Sequence, residues 1–314
     1  MRSWIIAHRG GASVRPENTL CAFAHAVNLG CDGAELDVQL SRDGEVMVFH
    51  DLHLKPELCR DGDKRWLSAA APRFRDLSFR ELRMLDVGRA DPGSEYARQH
   101  ADVLWRDDEC IPLLSEVIAV AKTSRSPFRL FVELKTSFID RAESASPEQL
   151  AARTIEEVEE HGFLARCVFV GFDWPVLIHV KRMAPQAQCW FSTMPASWFA
   201  DDTPPAGHDP PPQPVLQVLR TWAREGVSPW AAGYDAVRHG GSLIAAAKSA
   251  GADGWFPMWV DINAETIAQA RASGLRIGAW TVNNVAAMRR LAELGIDAIC
   301  TDRPDLLKAM NGEQ

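Results

Sequence analysis

Short apolar runs rich in Val, Ile and Phe alternate along this chain with longer segments whose apolar residues follow a helical period. That is the pattern of a parallel sheet covered by helices. The apolar runs fall at 4–8, 33–38, 129–135, 167–172, 188–192, 254–258, 277–282 and 298–301 and predict eight strands. Segments 19–29, 147–161, 242–250, 264–273 and 284–294 place apolar residues three and four apart and predict amphipathic helices. Gly30, Gly162, Gly251, Gly274 and Gly295 follow them, where a left-handed glycine closes a helix. Eight strands interleaved with helices predict an α/β fold of the (β/α)8 barrel type.

Two segments break the alternation. The first, 40–110, reads as an insertion after the second strand, mostly polar and mixed, with one helix-like piece near 80–85. It opens with Ser41-Arg42-Asp43-Gly44-Glu45 between two apolar runs, a hairpin signal. A turn centred between Asp43 and Gly44 sets His50 opposite Asp37. The second, 201–214, is rich in proline and is expected to be an exposed extended loop, neither helix nor inner strand. No internal repeat and no core apart from the barrel is evident. The chain has 314 residues, and a barrel takes about 250. The surplus is assigned to these two segments, leaving one domain over 1–314.

Composition narrows the partners. The formal charge of −8 excludes general affinity for nucleic acid and docking on anionic lipid by charge alone. Seven scattered cysteines without C-x-x-C spacing indicate neither a zinc knuckle nor a disulfide framework, and suit a reducing cytoplasm. No signal peptide and no run of membrane-spanning length is expected.

The chemistry concentrates at strand ends. Glu35 and Asp37 sit one residue apart on a strand and so share a face, with Ala34, Leu36 and Val38 on the other. Glu133 and Lys135 repeat the geometry. Carboxylates aimed together repel unless a cation lies between them. An all-oxygen set from Glu35, Asp37 and Glu133 suits one hard divalent ion, Mg²⁺ or Ca²⁺, better than zinc. His8 at the end of the first strand and His50 after the hairpin converge on the same mouth, fit to act as general acid and base. Arg9 and Lys135 are placed to clamp phosphate oxygens. Trp280, near the end of the seventh strand, is expected to pack on substrate or in the core. A lone histidine is more often structural than catalytic, and His25, His53, His100, His161, His179, His208 and His239 are read so. Together these features predict metal-assisted phosphoryl transfer.

In order along the chain, His8-Arg9-Gly10, Pro16-Glu17-Asn18-Thr19, Glu35-x-Asp37, His50-Asp51, Glu133-Leu134-Lys135, Trp280-Thr281-Val282-Asn283 and Thr301-Asp302-Arg303-Pro304 resemble the glycerophosphodiester phosphodiesterase family. The resemblance runs from about residue 5 to 307. It implies a TIM barrel of the phospholipase-C-like phosphodiesterase type with a small insertion. The implied reaction hydrolyses glycerophosphodiesters to sn-glycerol 3-phosphate and an alcohol. Carried over, Glu35, Asp37 and Glu133 hold the metal, His8 and His50 are acid and base, Arg9 and Lys135 bind phosphate, and Asn18 steadies the site. Three other readings compete. A lysophospholipase D would need an apolar channel beside the metal. A non-catalytic binder has no need of two histidines. A Schiff-base lyase would need a lysine less tightly held by acids than Lys135.

Overall fold

The computed structural model describes residues 2–199 and 211–312. Eight parallel strands close on themselves: β1 Trp4–Ala7, β2 Gly33–Leu40, β4 Arg129–Leu134, β5 Cys167–Gly171, β6 Gln188–Thr193, β7 Gly254–Pro257, β8 Arg276–Ala279 and β9 Ala298–Thr301. β1 hydrogen-bonds both β2 and β9, which completes the barrel. β3, Val46–Val48, pairs antiparallel with β2. The expected TIM barrel is present.

Side-chain alternation divides the barrel into two layers. Ala34, Leu36 and Val38 join the shell between sheet and helices. Ile6, Phe131, Val168, Val170, Trp190 and Phe256 fill the interior. The Trp190 indole occupies so much of that interior that a Cβ at Gly254 would lie 2.5 Å from it, so only glycine fits there. Trp4 stacks on Trp190 at 6.0 Å, and the Arg129 guanidinium lies 4.1 Å above the Trp4 ring.

The five predicted helices appear within a residue or two of their expected ends. Four further helices, Leu114–Lys122, Trp174–Met183, Gln213–Glu225 and Pro304–Met310, lie outside the segments whose period predicts a helix. Trp174–Met183 carries Trp174, Val176, Leu177 and Val180 as its buried face, and its apolar residues run unbroken from 174 to 178, with polar residues only from His179 onward to mark the period. The helix Gln213–Glu225 corrects the reading of the proline-rich segment at its end. Pro212 caps it and Pro214 lies in its first turn, where the missing N–H costs nothing. The rest of that segment, 201–210, lies outside the described residues, as does His208.

The hairpin is also corrected. Val38 pairs with Val48 and Leu40 with Val46, and Ser41 N–H donates to the Glu45 carbonyl at 3.0 Å. Gly44, at φ +88°, gives a three-residue loop rather than a two-residue turn. The odd loop shifts the register by one, so Phe49 rather than His50 stands opposite Asp37, with Phe49 N–H donating to the Asp37 carbonyl at 2.9 Å. Nor does the insertion lack a core. Met47, Phe49, Leu54, Phe74, Leu82 and Ile111 gather into an apolar cluster of their own, built from residues too irregularly spaced to show a period. Among the described residues no helix is long and apolar enough to cross a membrane.

Candidate active site

All eight parallel strands point their C-terminal ends to one mouth, and the register between β2 and β4 sets Asp37 level with Glu133. Glu35 and Asp37 are buried, and Glu35, Asp37 and Glu133 each bring an oxygen within 4.8 Å of the others. Three carboxylates so close cannot all ionise unaided. Lys135 answers part of the charge, its Nζ 2.7 Å from Glu133 Oε1 and 3.6 Å from Asp37 Oδ1. Arg9 Nε lies 3.3 Å from Asp37 Oδ2, and Asn18 Nδ2 donates to the same oxygen at 2.9 Å. Burial would push the Asp37 carboxyl up, but His50, Arg9, Lys135 and the Asn18 hydrogen bond outweigh it and hold the group well below its ordinary value. Glu35 is treated the opposite way. Burial and the neighbouring Asp37 charge drive its carboxyl well above the usual range. Its Oε2 accepts the Arg9 backbone N–H at 3.1 Å, while its Oε1 is buried without a hydrogen-bond partner. A buried carboxylate oxygen with no donor, beside two more acids, has the chemistry of a ligand to a hard divalent cation.

The loop after β1 brings the cationic and imidazole groups to this cluster. His8 begins a short helical turn, and Arg9 at φ +48° bends the chain back so that its carbonyl accepts the Asn18 N–H at 2.9 Å. Arg9 Nη1 donates to Glu17 Oε1 at 3.0 Å, and Tyr96 from the insertion donates its hydroxyl to the other Glu17 oxygen. His8 Nδ1 lies 2.6 Å from Asp302 Oδ1. Asp302 is held in turn by Asn283, whose Nδ2 donates to Oδ2 at 2.6 Å and whose Oδ1 accepts the Asp302 N–H at 2.9 Å. This leaves His8 Nε2 facing the carboxylates, 3.7 Å from Glu35 Oε2.

His50 reaches the same mouth by a different route from the one predicted, after the chain has left β3. Its Nδ1 lies 3.3 Å from Asp51 Oδ1. The two imidazoles are biased apart. Burial lowers His8, but Asp302 and Glu35 overcome it and its pKa ends above the ordinary 6.5. Burial, Arg9 and Lys135 lower His50, and Asp37 and Asp51 do not restore it.

Beside the cluster opens a cleft of about 400 Å³, whose walls include His50, Glu133, Lys135, Phe172, Trp198 and Trp280. Trp280 Nε1 donates to the Phe256 carbonyl at 3.0 Å, which turns the indole edge-on to Phe172 at 5.2 Å. All eight residues singled out from the sequence therefore surround one mouth. The sequence reading assigned no role to Asp302, Asn283, Glu17 or Tyr96. Asp302 could have been noticed from its position just past β9. Tyr96 gave no signal, because its approach depends on how the insertion folds back. Of the histidines read as structural, His100 and His161 direct Nδ1 to a carbonyl four residues earlier, and His53 and His179 pair with Glu143 and Glu148 away from the cluster.

Comparison with known proteins is consistent across sequence and structure. Residues 8–306 match the family model of the glycerophosphoryl diester phosphodiesterase family. A glycerophosphodiester phosphodiesterase of Caldanaerobacter subterraneus is 26% identical over 307 residues, 98% of this chain and 97% of that protein. A crystal structure from Silicibacter pomeroyi, named as a candidate glycerophosphoryl diester phosphodiesterase, superposes with a TM-score of 0.80 at 28% identity. It covers 100% of this chain and 95% of that one. An Oleispira antarctica phosphodiesterase, solved with its product sn-glycerol-3-phosphate, shares the fold with a TM-score of 0.66 at 20% identity. There the cover is 99% and 98%.

Proposed function

Because the chain belongs to the glycerophosphoryl diester phosphodiesterase family and is thereby a phosphoric diester hydrolase, we propose that it hydrolyses glycerophosphodiesters to sn-glycerol 3-phosphate and an alcohol by histidine acid–base catalysis with one divalent cation. The observation that carries this reading is the buried trio of carboxylates, with Glu35 Oε1 unsatisfied, lying between two imidazoles. Glu35, Asp37 and Glu133 would hold Mg²⁺ or Ca²⁺, which when bound supplies polarisation of a phosphoryl oxygen and neutralises developing charge. Arg9 and Lys135 bind the remaining phosphate oxygens, and Trp280 packs against the glycerol moiety. One imidazole removes the proton of the attacking hydroxyl. The other gives a proton to the departing alkoxide as its bond to phosphorus breaks. Each transfer is worth roughly 10²- to 10⁴-fold in rate. Asp302 keeps the His8 proton on Nδ1, so Nε2 is the atom that exchanges protons with substrate.

The test is release of sn-glycerol 3-phosphate from glycerophosphocholine with Mg²⁺ or Ca²⁺, with and without EDTA, for the native protein and His50→Ala. Loss of turnover with either chelator or mutation is expected, and turnover indifferent to both would sink the mechanism. Trapping a cyclic glycerophosphate distinguishes attack by the substrate's own 2-hydroxyl from direct attack by water.

A further inference from the structure

A second cavity, of about 220 Å³, adjoins the catalytic cleft, and the two share Phe172 and Met194 as lining. Its walls are mainly apolar and carry several aromatic rings. Phe172 stands on one side and Phe199, Trp230 and Tyr234 on the others. Trp230 is the hub of this wall, 6.0 Å from Phe199 and 5.5 Å from Phe138, a residue of the catalytic cleft.

Two polar groups interrupt that surface. Ser192 and Asp235 both line the cavity, both are buried to within 3% of complete, and Ser192 Oγ and Asp235 Oδ2 have no hydrogen-bond partner. Asp235 Oδ1 accepts the Ser228 N–H at 3.0 Å. Although Asp235 precedes the short turn Ala236–His239, its side chain does not cap it. Among the described residues no cationic side chain pairs with this carboxylate. The contrast with Asp173, also buried near the cleft but gripped by Arg141 through both oxygens, is sharp.

A buried carboxylate without a counter-charge is costly, and an aromatic enclosure attracts a poorly hydrated cation to the ring faces. An acyl chain would leave Oδ2 unsatisfied, and a neutral polyol could hydrogen-bond to it but would bring no counter-charge. We infer that this cavity seats the cationic head of the leaving alcohol, making diesters of a quaternary ammonium alcohol such as choline the preferred substrates. The inference rests on the phosphodiesterase reading above. In such a diester the ammonium lies two carbons beyond the ester oxygen. Phe172 and Met194, shared by the two linings, connect the cleft that holds His50 and Glu133 with the cavity that holds Asp235 and Trp230.

Calorimetric titration with choline, and with its neutral isostere 3,3-dimethylbutan-1-ol, tests the cavity independently of turnover. The native protein should bind choline on the order of tenfold tighter than the isostere, and Asp235→Asn should erase that preference. In hydrolysis assays the same substitution should raise KM for glycerophosphocholine about tenfold. It should leave KM for glycerophosphoglycerol within about twofold, a split that general unfolding would not produce. Trp230→Phe, which keeps an aromatic face, should retain most of the preference. Equal affinity for choline and the isostere, or equal loss on both diesters in Asp235→Asn, overturns the inference while leaving diester hydrolysis intact. Choline binding that depends on Asp235, in a protein hydrolysing neither diester, supports the cation site and overturns the phosphodiesterase reading instead.

Discussion

His8 and His50 differ in what surrounds them, and the difference can be measured. His8 lies between two acids, Asp302 and Glu35, whereas His50 faces Arg9 and Lys135. A raised histidine is charged over a wider pH range, and a lowered one is neutral at pH 7. In the cation-free protein, NMR titration should find His8 above 6.5 and His50 below it. The reverse order would contradict the arrangement. Asp302→Asn removes the anion that raises His8, so the His8 midpoint should fall. The substitution should also cut kcat by roughly 10²-fold or more, because the ring loses both its orientation and its tautomer. Asn283→Ala should follow in the same direction with a smaller effect, since Asp302 keeps its contact with His8. Tyr96 and Glu17 act one step further out, on Arg9. Tyr96→Phe should raise KM several-fold with little change in kcat, because it loosens a group that binds phosphate and leaves the proton-transferring atoms alone.

At the scale of elements, the loop after β1 is the tightest-built part of the site. Gly10 follows Arg9 at φ +83°, and a Cβ there would lie 2.6 Å from Ala22 Cβ and 2.9 Å from its carbonyl carbon. Gly10→Ala is therefore expected to destabilise by about 2–4 kcal/mol through combined backbone strain and overlap. It should also move Arg9, so that activity falls further than thermal stability alone accounts for. Denaturant melts and kinetics on the same sample would check both. The hairpin shows why an element can be recognised while its register is not. Asp-Gly marks a turn whatever its length, but a two-residue loop pairs Arg42 with Glu45, whereas the three-residue loop takes in Arg42 and pairs Ser41 with Glu45. That one-residue difference exchanges His50 for Phe49 opposite Asp37. The helices missed from the sequence share a cause. Trp174–Met183 opens on a solid apolar run and shows polar residues only in its second half, and Gln213–Glu225 begins among prolines that are read as breakers until their position at an N-terminus is seen.

For the molecule as a whole, the carboxylate cluster links stability to cation and pH. Glu35 titrates in the folded protein above its ordinary value of 4.5. The folded state thus favours the protonated acid, and the sign follows. Its contribution to stability is full below about 4.5 and is lost as pH rises through the elevated folded value. Without divalent cation, the melting temperature should decline over that range. Glu35→Gln, which mimics the protonated form, should remove this part of the decline. A cation held by the cluster should reverse it, adding roughly 2.7 kcal/mol at a hundredfold excess over its dissociation constant, an increment absent in Glu35→Gln. Asp302 works the other way. It is held at about 2, so its contribution is present above its ordinary 3.8 and is lost as pH falls toward 2. A cation-free melting curve independent of pH between 4.5 and 8 would argue against the repulsion inferred at Glu35.

What the sequence determined by itself is whatever follows from period and from short spacing. The eight strands came from recurring apolar runs, and the shared face of Glu35 and Asp37 from the two-residue repeat of a strand. His8 and Arg9 fell at a strand end, and the ordered motifs joined these residues to a family. Only the tertiary structure decided what depends on segments far apart in the chain. Asp302 meets His8 across 294 positions because β9 and β1 close the barrel. Tyr96 reaches Glu17 because the insertion folds over the loop after β1, and among the described residues Asp235 lies beside Trp230 and Tyr234 with no cationic partner. A strand's period is local and is written in its own residues. A contact made by closing a barrel or folding back an insertion depends on loop geometry summed over the whole chain, and no short stretch of residues contains it.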